Sequence, residues 1–329
     1  MRGERGGPDG VDVHGPCDEA GTTEVVTVGG AMVDRYYALS NLPAPDGGAY
    51  VRDERTGFGG VAANVASALT RLGRSTGIVT RLGDDDDGDA ALADLRDRGI
   101  DIERVRRGSE RSTYSMVLRS GGERMVVTGG RSCAALRPRA GDREYLSRAD
   151  AVAATAYAPD AVTGAVLAAR EAGAIDRLSF DLSGPLAELR DRGTEPQTVD
   201  RAVAACDLLV VGEVALSAYL DHRGATDPVT LLRDRGVGRA ALTRGEDGAT
   251  LVTPEETVDV DAVDVATVDS TGAGDAFHAG LVDAWLLDGR PAAAAGRFAA
   301  TVAALNCTDE GARGGLPTRA AVEEALASR

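Results

Sequence analysis

Apolar runs of four or five residues recur along the chain, separated by longer Ala- and Leu-rich stretches of helical spacing. The runs at 25–28, 76–80, 151–155, 178–182, 208–211 and 240–243 are predicted strands, because a parallel strand buried on both faces reads as a continuous apolar segment. Stretches 62–72, 89–98, 160–172, 274–287 and 291–307 place apolar residues near a 3.6-residue period, and several are followed by a glycine stop. Such alternation predicts an α/β fold, a doubly wound, mainly parallel sheet with helices on both faces.

Two stretches break the rhythm. Residues 31–56 contain NLPAPDGG, and residues 112–128 contain SMVLRSGGERMVV, which reads as a hairpin about Gly121 and Gly122. Paired with one another they would form a small β-sheet lid outside the main sheet, suited to closing over the carboxyl ends of its strands, where open α/β sheets bind ligands. Residues 1–22 are polar and Gly-rich, without the apolar stretch of a secretory signal, and are expected to be a disordered leader before one domain spanning 23–329.

Composition narrows the partners. The chain has 329 residues, of which 43% are hydrophobic and 4% aromatic, so Val, Leu and Ala must fill the core. No apolar run approaches the roughly 20 residues of a membrane-spanning helix, and no membrane partner is expected. Net charge is −16, and all 36 basic residues are Arg. Acidic excess without Lys resembles proteins of salt-adapted organisms, whose counterions screen self-repulsion. A GC-rich genome also favours Arg, and under either reading nucleic acid is excluded as a general partner because phosphate tracking needs positive excess. Cys17, Cys133, Cys206 and Cys307 have no metal-ligand spacing, so free thiols and a cytoplasmic location are expected.

The chemistry concentrates in residues 269–280, DSTGAGDAFHAG, where a Gly-rich turn precedes an amphipathic helix. The backbone N–H groups of Gly272, Ala273 and Gly274 can share one concavity at the positive end of that helix, which favours an anion. Phosphoryl transfer needs positioning, charge neutralisation and a carboxylate to take the attacking hydroxyl's proton. Asp275 stands where that base belongs. Such a turn alone is weak evidence, since many Gly-rich turns before helices bind nothing.

Two further segments change that. VVTVGGAMVD ends on Asp34, and GFGGVAANVASALTRLG sets Gly59 and Gly60 before a helix whose first turn presents Asn64. In that order, the three segments resemble the ribokinase-like (PfkB-type) carbohydrate kinases. The resemblance runs from residue 24 to about 325 and takes in RLGDDDDG, FDLSG and TRGEDG. It implies ATP or a related nucleotide as donor, Mg²⁺, and often a stimulating monovalent cation such as K⁺. It also implies substrate hydroxyls held by Asp34, Gly59, Gly60 and Asn64, an anion hole at Gly272, Ala273 and Gly274, and a nucleotide flanked by Thr243, Gly245 and the helix at 297–307. Lid-to-lid pairing into a homodimer would fit the family.

Two departures bear on this. Where many members carry NxxE, this chain reads GEVA at 212–215, leaving Glu213, with Asp269 of the DST turn, as the expected metal ligands. Met32 replaces the Asn that ribokinases proper place two residues before the Asp. Arg111, Arg124 and Arg131 lie in or beside the lid, with Arg52 in its other half, and guanidinium groups clamp phosphates. A sugar phosphate is therefore expected as acceptor, with Arg131 as a substrate ligand, although surface ion pairs would account for many of these arginines.

Archaeal members include kinases of ribose 1-phosphate and of nucleosides, which makes ribose 1-phosphate the leading acceptor. Free ribose, a nucleoside, a fructose phosphate and 2-keto-3-deoxygluconate are the alternatives, with ADP as a second possible donor. GEVA also raises a non-catalytic sensor on the same fold. His278, three residues beyond Asp275, is expected no closer than the outer layer of the site, and VGGAMVD lacks the glycine spacing of a dinucleotide-binding oxidoreductase.

Overall fold

The structure, a computed structural model, describes residues 23–328. The expected leader at 1–22, with Cys17, lies outside the described residues. The strands are β1 (Val25–Val28), β2 (Met32–Leu39), β3 (Val51–Gly59), β4 (Thr76–Gly83), β5 (Val105–Gly108), β6 (Tyr114–Ser120), β7 (Glu123–Gly129), β8 (Ala151–Thr155), β9 (Leu178–Asp181), β10 (Leu208–Gly212), β11 (Ala240–Thr243), β12 (Ala249–Val252) and β13 (Thr257–Val260). The helices are α1 (Val61–Arg71), α2 (Asp86–Asp97), α3 (Asp142–Ser147), α4 (Asp160–Glu171), α5 (Leu186–Asp191), α6 (Pro196–Ala205), α7 (Glu213–Arg223), α8 (Pro228–Asp234), α9 (Ala273–Leu281), α10 (Ala292–Asn306) and α11 (Arg319–Ala327).

The main sheet has nine strands in the order β13-β12-β11-β10-β9-β8-β1-β4-β5. Pairing is parallel from β11 to β5 and antiparallel at the β11-β12-β13 edge. The apolar runs explain why both faces are covered. In β1, Val26 and Val28 join the core cluster on one face, while Val25 joins the other. Leu209 and Val211 of β10 likewise oppose Leu208 and Val210. Side chains alternate along a strand, so uninterrupted apolar sequence demands a helical layer on each side. Chain order reverses between β4 and β8 on either side of β1, and the crevice of such a sheet opens at the carboxyl ends there.

The irregular segments pair as expected, into a separate four-stranded sheet of order β3-β2-β6-β7. Its strands reach slightly beyond the expected 31–56 and 112–128, since β3 continues to Gly59 and β7 to Gly129.

Two helices depart from expectation. α2 begins three residues before 89, because Asp85 Oδ1 accepts the Gly88 N–H at 2.9 Å as an N-cap and the following acids favour the positive end. The helix predicted over 274–287 changes to a π-helical turn over Val282–Leu287, where the Asp288 N–H bonds the Asp283 carbonyl at 3.1 Å.

Candidate active site

The first wall of the cleft is the face of β2 that carries Asp34. In register, β2 pairs Asp34 with Gly57 of β3 and with Ser115 of β6. Ser115 Oγ donates to Asp34 Oδ1 at 2.5 Å, and the Tyr36 hydroxyl reaches Oδ2 at 3.4 Å. Burial pushes this carboxyl up, against the Ser115 bond and the charges of Arg313 and Arg55. A Cβ at Gly59 would sit on the Asp34 carboxylate, and Gly60, at φ 94°, lies against the Gly30 carbonyl. The glycine pair is therefore what lets the α1 entry approach the substrate strand.

Asn64, in the first turn of α1, joins that wall to the start of α9, which carries Asp275. Its Nδ2 donates to Asp275 Oδ2 at 2.6 Å, and its Oδ1 accepts from Arg313 Nε at 2.7 Å. Arg313 also donates to the Gly59 carbonyl at 2.7 Å and pairs with Asp94 at 2.5 Å. The guanidinium thus fixes which end of the amide faces Asp275. Burial pulls Arg313 down to about 10, partly offset by Asp94, which leaves it a cation at working pH. Burial raises the Asp275 carboxyl to about 6; the Asn64 bond and Arg313 oppose the rise and the Asp34 charge adds to it. That is an apt range for a base working near neutral pH.

Gly272 caps α9 at φ 77°, where a Cβ would strike the Ala312 backbone. One of the three donors expected of an anion hole is already engaged, because the Ala273 N–H bonds the Ser270 carbonyl at 3.2 Å. Gly274 and Asp275 lie in the first turn, where backbone N–H groups have no helical acceptor. Asn306 of α10 ties this turn down, its Nδ2 donating to the Ala312 carbonyl at 3.2 Å and the Thr271 carbonyl at 3.4 Å.

On the donor side, Thr243, Gly245 and Glu213 line one cavity of about 290 Å³ with Ser183 and Gly212, at the carboxyl ends of β9, β10 and β11. Arg297 and Thr301 of the 297–307 segment line a different cavity of about 480 Å³, against the Val260 to Val263 stretch. Among the described residues no group of three or more His, Cys, Asp or Glu forms a ready metal site.

Asp269 does not fit the expected metal role. Arg119 holds its Oδ1 at 2.6 Å, Arg55 its Oδ2 at 3.1 Å, and the backbone N–H groups of Thr271 and Gly311 each donate at 2.9 Å. Against the burial that would raise it, these partners hold the carboxyl far below the usual range. Glu213 fits better, as an exposed carboxylate on the cavity rim, and Mg²⁺ needs only one or two carboxylates beside phosphates and water. Asp181, at the carboxyl end of β9, is a second carboxylate on this side of the cleft: burial, with the Asp275 charge adding to it, raises it to about 7.

Arg131 is also not brought to the Asp34 wall; it is exposed beyond β7, with its backbone N–H on the Arg111 carbonyl at 3.0 Å. The arginines that reach the turn before α9, at Asp269 and Thr271, are Arg55, Arg119 and Arg124. His278 turns away, bonding Ser179 Oγ at 2.6 Å in the core, where burial lowers it to about 4 and keeps it neutral. Arg313, Asn306, Ser115 and Tyr36 were not legible as site residues. The sequence signal for Arg313 is its place inside GARGG, a long cation among residues that let backbones close in.

A doubly wound sheet, a β lid and an acid-amide-acid constellation above a helix N-terminus define a phosphotransferase acting on a sugar hydroxyl. The chain belongs to the pfkB family of carbohydrate kinases, whose model matches residues 22–319. It is 34% identical over 310 residues to an ATP-dependent ribose-1-phosphate kinase of Halopiger xanaduensis, covering 93% of this chain and 98% of that one. It is 28% identical over 301 residues to a nucleoside kinase of Methanothermobacter thermautotrophicus, covering 89% and 92%. The ribokinase of Thermotoga maritima superimposes with a TM-score of 0.79 at 21% identity, over 93% of this chain and 99% of that one.

Proposed function

We propose that this kinase transfers the γ-phosphoryl group of ATP, with Mg²⁺, to a free hydroxyl of a ribosyl sugar phosphate, with ribose 1-phosphate as the leading acceptor. The observation that carries the reading is the Asn64–Asp275 bond at 2.6 Å, which holds a carboxylate beside an anion-binding turn and within electrostatic reach of Asp34. The resemblance to the Halopiger ribose-1-phosphate kinase supports the acceptor and the donor.

Asp34, Gly59, Gly60 and Asn64 hold the sugar, and two-point hydrogen bonds to neighbouring hydroxyls reject analogues that lack them. Asp275 takes the proton from the attacking hydroxyl. The N–H groups at the start of α9, including that of Gly274, balance the charge on the transferred group. Thr243 and Gly245 bound the donor cavity, and the lid excludes water. Glu213 and Asp181 would hold Mg²⁺, which supplies charge neutralisation between the phosphates.

A cytoplasmic site of action suits free Cys133, Cys206 and Cys307, and no described helix is long and apolar enough to cross a membrane. Exposed Met125, Val126 and Val127 on the β7 edge, and Tyr50 and Val51 at the start of β3, support a homodimer through the lid, which light scattering would test.

The deciding experiment assays ATP and ADP against ribose 1-phosphate, ribose, nucleosides, fructose phosphates and 2-keto-3-deoxygluconate, in KCl and in NaCl, with product position read by NMR. Highest kcat/KM for ribose 1-phosphate with ATP is expected. A preference for any unphosphorylated acceptor would overturn that choice, and equal rates in the two salts would remove K⁺ as an activator.

A further inference from the structure

The roof of the cleft concentrates positive charge, in Arg55, Arg119 and Arg124. Arg119 of β6 and Arg124 of β7 stand directly opposite one another in the antiparallel ladder. Like charges so placed destabilise a sheet. Both guanidinium groups nevertheless converge on one neutral oxygen, Thr271 Oγ1, at 2.9 and 3.2 Å. Arg55 lies over the Tyr36 ring at 3.8 Å, with Arg119 5.4 Å from the same ring, and the Tyr36 hydroxyl points to Asp34. Among the described residues, the acids in ion pairs with this group are Asp269 and Glu310, both held through Arg55 or Arg119, and Asp34 lies within electrostatic reach of Arg55. The side chains of Arg55 and Arg119 remain 27% and 32% exposed, so their ion pairs leave them open to the cleft.

We propose that Arg119 and Arg124, steadied by Arg55, clamp the phosphate that the acceptor already carries. A phosphate dianion between two opposed guanidinium groups turns their repulsion into paired charge-assisted hydrogen bonds, which a hydroxyl cannot do. It would sit at the lid end of the cleft, with Asp34 on the ring hydroxyls and the free hydroxyl at Asp275. The clamp rests on the reading of the chain as a kinase of sugar phosphates, and it names the residues that select the phosphorylated acceptor.

The test compares wild type with Arg119→Met, Arg124→Met and Arg119→Lys, using ribose 1-phosphate and ribose as acceptors and measuring KM for ATP in each. Each Met variant is expected to lower kcat/KM for ribose 1-phosphate at least about tenfold through KM, and to lower its ratio to ribose by a similar factor. Lys should recover part of the loss, since it keeps the charge without the fork. Competitive inhibition by inorganic phosphate should weaken in the same Met variants. Equal loss with both acceptors would overturn the clamp in favour of a lid latch on Asp269, and a raised KM for ATP in its place would move the arginines to the donor phosphate. Arg124 is exposed, so its variant keeps the test valid if loss of Arg119 unsettles the lid. Wild-type turnover of ribose alone would remove the acceptor reading itself and the clamp with it. Turnover of ribose 1-phosphate with unchanged KM in both Met variants would remove only the clamp.

Discussion

At the scale of single residues, the site depends on one amide being held the right way round. Asn64 can present either its N–H₂ or its oxygen to Asp275, and Arg313 decides the matter by donating to the oxygen. Asp275→Asn should retain ATP binding while kcat falls by about 10² to 10⁴; unaltered turnover would remove Asp275 as the base. In the wild type, kcat/KM should rise with pH through about 6 as this carboxyl ionises. The stability effect has the opposite sign. A carboxyl raised above its unfolded value costs the fold nothing below the unfolded pKa of 3.8 and destabilises it progressively up to the folded pKa of about 6, so Asp275→Asn should raise Tm at pH 8 and change it far less below the unfolded pKa. Arg313→Met frees the amide to turn and removes a charge that favours the carboxylate. The acid limb should then move to higher pH, a shift that a purely structural arginine would not cause. Asp275 and Asn64 were legible because local chemistry marks them, a carboxylate after a Gly-rich turn and an amide after a Gly pair. Arg313 was not, because its bonds cross 249 and 254 residues of chain.

At the scale of elements, the structure depends on where helices are pinned. Asp283, on the π-helical turn after α9, is fully buried and pairs with Arg319 at the start of α11 and with Arg74 just beyond α1, the latter at 2.7 Å. Arg74 also bonds Glu24, before β1, at 2.9 Å, and Asp288. Asp283→Ala leaves two partly buried guanidinium groups without their shared acid, and should lower stability by about 3 to 5 kcal/mol in denaturant titration while KM values stay near wild type. A loss under about 1 kcal/mol would show that Glu24 and Asp288, which already bond Arg74, suffice to hold it without Asp283. The predicted strands appear because two buried faces leave no other reading of short apolar runs. The early start of α2 was hidden because its cap sits among four consecutive acids, and the π turn leaves no local mark in the residues around Asp283.

At the scale of the whole molecule, charge governs. A net charge of −16 without Lys should make the fold most stable at high ionic strength, with Tm rising steadily as KCl is raised from 0.1 M toward 2 M. A Tm independent of salt would refute the saline reading of the composition. The Halopiger relative agrees with that reading. Where the arginines go is a separate matter. Composition supplies them everywhere, and position alone separates Arg131, exposed past the lid, from Arg119 and Arg124, which reach the turn before α9.

Six strands of the main sheet, five of its helices, the two-faced core, the lid segments and the local motifs around Asp34, Gly59, Gly60, Asn64 and Asp275 can be read from residues adjacent along the chain, whereas β5, β12, β13 and the shorter helices carry no such local pattern. The ion pairs of Asp269 with Arg55 and Arg119, the influence of Asp275 on Asp181, and the Arg313 bond that orients Asn64 come from the fold alone. Those outcomes depend on which side chains meet across the cleft, and a charge has no assigned partner until the fold brings one within bonding distance.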